Sequence, residues 1–181
     1  MQLAKRDLFG GAITIELPQD NLVDASDLRE VPDTQEVFLH ADSTVSWVIE
    51  ILQRVGAQDA SDAARFHFDS LAHDNDAEQS EVVGISIPSV SSTPSATPAP
   101  IVLTGWQTVA KYNRTVPDKV KIMLALYRLD RQNIDLVLTV NLPHVLADGS
   151  VTASDIIDSA TSAFEAVANS LNIVDFGLFA S

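Results

Sequence analysis

Apolar positions along this chain form short alternating runs in the first half, long unbroken runs in the second, and one helical stripe near the end. Ala12-Ile13-Thr14-Ile15-Glu16-Leu17 is a β-branched run closed by Pro18 and predicts a first strand. Asp24 to Thr34 is dense in turn formers, with a single helical turn from Ser26 to Glu30 broken before Pro32. Gln35 to His40 resumes extended character, with Val37 and Leu39 on one face and Phe38 on the other. From Thr44 to Val55, the residues Val45, Val48, Ile49, Ile51, Leu52 and Val55 gather on one arc at about 100° per residue. Asp42-Ser43-Thr44 offers caps, so a helix is predicted there. On that wheel Glu50 falls nearly opposite the arc, with Trp47 and Arg54 to one side of it and Gln53 to the other. A tryptophan off the stripe is either a ring tucked under a loop or a partner contact.

Asp59 to Ala64 suggests a short capped turn. From Arg65 a period of two predicts a strand, with Phe66, Phe68 and Ser70 alternating with His67, Asp69 and Leu71. The acidic stretch Ala72–Gln79 then reads as a hairpin-like connection and Glu81–Ile87 as a strand. Pro88–Pro100, a Ser/Thr/Pro tract, cannot pack a core and is expected to loop out of a single domain spanning residues 1–181. Ile101–Tyr112, Lys119–Leu129 and Ile134–Leu142 supply further strands, the last two joined by a turn at Asp130-Arg131-Gln132-Asn133. Asp148-Gly149 marks another turn, and Thr152 to Asp155 resembles a capping box. It precedes the clearest helix, where Ile156, Ile157, Ala160, Ala163, Phe164, Val167, Ala168 and Leu171 keep three–four spacing. The expected class is α+β (α/β sandwich): a mainly antiparallel sheet flanked by at least two amphipathic helices.

Charge narrows the function. The 181 residues carry 25 acidic and 11 basic side chains, a net charge of −14. Such a surface is wrong for counterion release along phosphates, so nucleic acid is not an expected partner, nor is an anionic membrane. There are no cysteines, which removes thiolate chemistry and disulfides. The opening MQLAKRDLFGG lacks a signal-peptide core, and no run approaches the ~20 apolar residues of a membrane span. The chain therefore reads as intracellular and soluble, with Asn113-Arg114-Thr115 a chance glycosylation match. Asp175-Phe176-Gly177 spells a kinase tripeptide without the rest of that machinery and reads as a packing tail. Gly10-Gly11 is too short a phosphate cradle, and the histidines 40, 67, 73 and 144 lack metal spacing. Asp74, Asp76 and Glu78 alternate like calcium ligands but lack the loop glycine and closing glutamate. No catalytic residue, metal or cofactor is expected.

Two segments carry a resemblance. Leu8-Phe9-Gly10-Gly11-Ala12-Ile13 and the block from Asp24 to Phe38, with Asp27-Leu28-Arg29-Glu30-Val31-Pro32-Asp33-Thr34-Gln35-Glu36-Val37 at its centre, resemble the Ran guanine nucleotide release factor family, the Mog proteins. Val48–Leu52, Ala64–Asp69 and Ala125–Leu129 follow in order. The resemblance implies an antiparallel sheet between helices, similar to photosystem PsbP proteins. It implies binding of the small GTPase Ran, release of its nucleotide and support of nuclear import, in nucleus and cytoplasm, without catalytic residues. A Ran-binding adaptor or trafficking scaffold without exchange activity is the alternative. The family's acidic pair would fall on Glu50 and on Gln53, which is neutral here. Trp47 beside them, and Asp27, Arg29, Asp33 and Glu36 in the polar segment, complete the expected partner surface. Capping and local pairing would explain the polar segment equally well. A monomer is the default expectation.

Overall fold

The computed structural model describes residues 1–90, 95–110, 116–146 and 148–180. Its centre is a seven-stranded, wholly antiparallel sheet in the order β3-β4-β5-β9-β8-β7-β6. The strands are β3 (Leu22–Asp24), β4 (Gln35–His40), β5 (Ser46–Gln53), β6 (Ala77–Ser86), β7 (Ile101–Val109), β8 (Asp118–Leu129) and β9 (Ile134–Val145). A small sheet of β1 (Leu3–Leu8), β2 (Ile13–Pro18) and β10 (Asn172–Ile173) lies against one face. Helix α1 (Ala60–Asp74) covers the other face, and α2 (Ser154–Ser170) joins the small sheet on the first. The α+β class and its antiparallel sheet are as expected. None of the described helices is long and apolar enough to cross a membrane.

Two apolar clusters, one per face, hold the layers together. Leu8, Ile13, Ile15 and Leu17 of the small sheet and Phe164 and Val167 of α2 pack on Trp47, Ile49, Ala125, Leu138 and Val140. On the far side Ala63, Ala64 and Phe68 of α1 pack on Leu103, Ile122, Leu124 and Val137. The central strands β8 and β9 are buried on both faces and therefore read as near-continuous apolar runs.

The segment expected to be a helix at 44–55 is the strand β5, and the period-two segment from Arg65 is the helix α1. The first error comes from a dense apolar run, which fits a helical arc as readily as a strand. In β5 the β-branched Val48, Ile49 and Ile51 decide for extended backbone, and β4 and β9 supply its ladders. The residues read as helix caps build the β4–β5 hairpin instead: Val45 N–H donates to Ser43 Oγ, and His40 N–H to the Val45 carbonyl. In α1 the buried stripe is Ala63, Ala64, His67, Phe68 and Ala72, at helical spacing but built from alanines and a histidine. Asp59 caps it, accepting from Asp62 N–H at 2.8 Å.

Smaller corrections follow. The acidic 72–79 stretch is the end of α1 and the start of β6. The helical turn expected at Ser26–Glu30 is a 3-10 turn at Ala25–Asp27, capped by Asp24 through Ser26 N–H. At α2 the N-cap is Ala153, without a side-chain cap bond, so Thr152 builds no capping box. Tyr112, the sequon at 113–115 and part of the Ser/Thr/Pro tract fall outside the described residues.

Candidate partner-binding site

Alternation along β5 sorts the expected site residues. The ladder to β9 runs without a break from Ser46 to Gln53, so successive side chains face opposite sides of the sheet. Trp47, Ile49, Ile51 and Gln53 take the face that carries α2. Val48, Glu50 and Leu52 take the face that carries α1. Glu50 and Gln53, three residues apart, would share one side of a helix; on a strand they lie on opposite sides.

Trp47 is not a surface residue. It is 0% exposed, stacks on Phe164 of α2 with ring centroids 6.4 Å apart, and donates its indole N–H to His40 Nε2 at 3.2 Å. Indole is a donor only, so His40 Nε2 carries a lone pair and the ring is neutral in this arrangement. Burial lowers the His40 pKa, and nearby Asp42 opposes that shift without reversing it.

Glu50 is half-buried, with Gln35 opposite on β4 and Val137 opposite on β9. Its Oε1 accepts from Gln35 Nε2 at 2.6 Å, and among the described residues no cation pairs with it. Helix α1 packs over β6, β7 and β8, which leaves the β4–β5 part of this face less covered. The loop before β4 ends beside Glu50: Ile51 N–H donates to the Thr34 carbonyl, and Asp33 precedes that residue, exposed. Asp27 and Arg29 are exposed further up the same loop.

Glu36 departs from the group. It lies on the face of Ile49, and its Oε1 accepts from Phe9 N–H at 2.6 Å, tying β4 to the small sheet. The structure thus places Glu50 beside the end of the exposed loop that carries Asp33, Asp27 and Arg29, and sets Trp47, Glu36 and Gln53 on the other face. Leu28, between Asp27 and Arg29, was not among the expected residues, yet it is 68% exposed. Its signal in the sequence is a leucine set between Asp27 and Arg29 inside a charged turn. Gln35 was not chosen for the surface either, and it orients the Glu50 carboxylate.

A second cluster sits further along the α1 face. Asp135 is 0% exposed and accepts from Val55 N–H at 3.1 Å and Arg128 Nε at 3.1 Å, with His67 Nε2 of α1 at 2.7 Å. Arg128 also donates to the Val55 carbonyl. Burial pushes the Asp135 carboxyl up, but the bonds from His67, Val55 and Arg128, with the Arg128 charge, outweigh it and hold the pKa low. Asp135 lies opposite Leu52, so this network anchors the end of the strand that carries Glu50. Asp175-Phe176-Gly177 is a capped 3-10 turn whose phenylalanine packs on the core, as a packing tail would. Among the described residues no three acidic or histidine side chains gather as a metal site.

A family model described as Ran-interacting Mog1 protein matches residues 6–143. The chain is 30% identical to a Danio rerio protein named Ran guanine nucleotide release factor, over 96% of this chain and 98% of that one. It is 33% identical to the Homo sapiens protein of the same name, over 95% and 94%. Among solved structures, the Saccharomyces cerevisiae Ran-binding protein Mog1p matches with a TM-score of 0.75 and 24% identity, over 99% of this chain and 100% of that one. Cyanobacterial PsbP from Synechocystis matches with a TM-score of 0.58 and 10% identity, over 94% and 92%, a likeness of fold.

Proposed function

This chain belongs to the Ran-interacting Mog1 protein family, and on that premise we propose that it binds the small GTPase Ran and promotes release of its guanine nucleotide. It acts by binding, without a covalent step, and it supports nuclear protein import from nucleus and cytoplasm. The observation that carries this reading is the near-full-length match to relatives named for that activity. The fission-yeast and budding-yeast relatives, named nuclear import proteins, support the transport role.

The contact surface in this proposal is the less covered β4–β5 face, with Glu50 at its centre. Asp33, Asp27, Arg29 and Leu28 form the loop beside it, while Gln53 lies at the strand's end on the opposite face. Trp47 and Glu36 support the surface from the opposite side rather than touching the partner. An acidic group without a cation of its own among the described residues fits a basic side chain of the GTPase. A GTPase holds its nucleotide with a P-loop lysine and Mg²⁺, so drawing either toward Glu50 weakens nucleotide binding. Linkage then requires that nucleotide weaken this protein's binding equally.

The test compares nucleotide release from Ran with wild type, Glu50→Lys and Glu50→Gln, each checked for folding by circular dichroism. Truncating a buried interfacial charge pair costs about 2–5 kcal/mol, so Glu50→Lys should weaken Ran binding at least tenfold. Equal release by all three sinks the Glu50 surface. Stimulation by substoichiometric amounts supports an exchange factor; a strictly stoichiometric effect points to an adaptor.

A further inference from the structure

The chain's charge is divided unevenly. Residues 82–129 hold one acid, Asp118, against five bases, Lys111, Arg114, Lys119, Lys121 and Arg128, a net charge of +4; the rest of the chain carries −18. Within this basic stretch the β7–β8 ladder builds a surface that the Glu50 site does not use. Trp106 on β7 stands between Glu81 of β6 and Lys121 of β8, and Lys119 lies opposite the neighbouring Thr108. Lys119 Nζ sits 4.6 Å from the Trp106 ring centroid, and the His144 ring meets it edge-on at 4.7 Å. Among the described residues Nε2 of His144 is buried without a hydrogen-bond partner.

Trp106 and Lys121 lie on the α2 face of the sheet, opposite to Glu50. Because α2 packs over β9 and β2, the indole of Trp106 remains half-exposed and Lys119 exposed. They line an open depression of about 690 Å³ with Gln79, Ser80, Glu81 and Thr108. A partly exposed tryptophan with the Lys119 ammonium over its ring and Lys121 opposite it in the ladder has the composition of an interaction hot spot. We propose that the Trp106–Lys119–Lys121 surface is a docking site for a short acidic peptide segment of a partner protein.

Charge complementarity selects that occupant. The two lysines offer six ammonium donors, and carboxylates arriving there would relieve the repulsion between them. A long polyanion such as nucleic acid would have to lie against the −18 of the remaining chain, whereas a short segment meets only the local charge. The indole packs against the aliphatic stems of the acidic side chains, and Glu81 on the far side of the ring excludes carboxylates from the β6 side.

The chain contains its own probe. It has two tryptophans, and Trp47 is fully buried, so a solvent-sensitive change in emission reports Trp106. Titration with a blocked hexaglutamate peptide at low salt should give a saturable emission change that weakens as salt rises. Lys119→Glu with Lys121→Glu should raise Kd at least tenfold, and Lys119→Gln alone should raise it measurably should the double variant fold poorly. Glu50→Lys should leave the titration unchanged, which separates this site from the Ran surface. Trp106→Phe should abolish the emission change. The proposal is overturned by no saturable change, by an unaltered Kd in the lysine variants, by a signal that persists in Trp106→Phe, or by tighter binding of hexathymidylate than of the peptide.

Discussion

Replacing Asp135 by alanine should be among the most damaging single changes in this fold. The carboxylate is fully buried and has three partners: Arg128 Nε, His67 Nε2 and the Val55 backbone N–H. Its removal leaves the guanidinium of Arg128, whose side chain is only 12% exposed, without a counter-charge. Breaking a buried ion pair on one side costs about 3–5 kcal/mol. For a domain of this size each kcal/mol moves Tm by about 2–4 °C, so the expected loss is roughly 6–20 °C. Urea unfolding followed by far-ultraviolet circular dichroism measures the same quantity, provided that m stays constant. The pH dependence gives an independent check. The folded-state pKa of Asp135 is lowered, so the folded protein binds fewer protons than the unfolded chain as acid is added. The stability it contributes is present above the ordinary carboxylate value of about 3.9 and is lost as pH falls through the folded pKa. Asp135→Ala should therefore flatten the acid limb of the stability curve. A loss below about 1 kcal/mol with an unchanged acid limb would refute the reasoning and mean that the pair barely exceeds its desolvation cost.

Trp47→Ala should cost about 3–5 kcal/mol in chemical unfolding, because the ring fills the core against Phe164; a near-neutral result would return Trp47 to the surface. Gly105→Ala should destabilise by about 1–3 kcal/mol, since a Cβ there would lie 2.6 Å from both the Phe68 ring and the Glu81 carbonyl oxygen. The same unfolding experiment decides it, and a stabilised variant would contradict the close approach of α1. The lowered pKa of His40 means that the unfolded chain protonates first as pH drops below about 6.5, so the stability tied to the neutral ring is present above that value and lost below it. His40→Gln, which can still accept the Trp47 N–H, should show a smaller fall in Tm between pH 7.5 and pH 5 than wild type. An identical fall would remove His40 from the acid response.

Legibility in the sequence followed the contrast between neighbouring positions. β4 was readable to the residue because Pro32 and Asp33 precede it and its apolar run Val37-Phe38-Leu39 is bounded by polar residues on both sides. The stripe of α2 stood out because its opposite face is rich in Ser, Asp, Glu and Asn. β5 lacked that contrast, and in α1 the packing face is mostly alanine, whose burial carries little hydropathic weight. The partner surface inherited the error. Glu50 and Gln53 share a side only at helical spacing, and Trp47 looked exposed only on a helical wheel. The Asp24–Glu36 segment was correctly read as polar and loop-rich, but long-range contacts decide which of its side chains face inward. Glu36 reaches Phe9, 27 residues away, and no local pattern announces that bond.

The position of β5 in the sheet also has a consequence in time. Its ladder with β9 joins Ser46 to Asn141, whose side chain donates to Ser46 Oγ across 95 residues of chain. At a synthesis rate of about 5–20 residues per second, that separation corresponds to roughly 5–20 s on the ribosome. For that interval β5, carrying Trp47 and Ile49, has β4 on one edge and no neighbour on the other. Unpaired apolar edges are where growing chains aggregate, so yield during expression should depend more on slowing synthesis or supplying chaperones than on the stability of the finished fold.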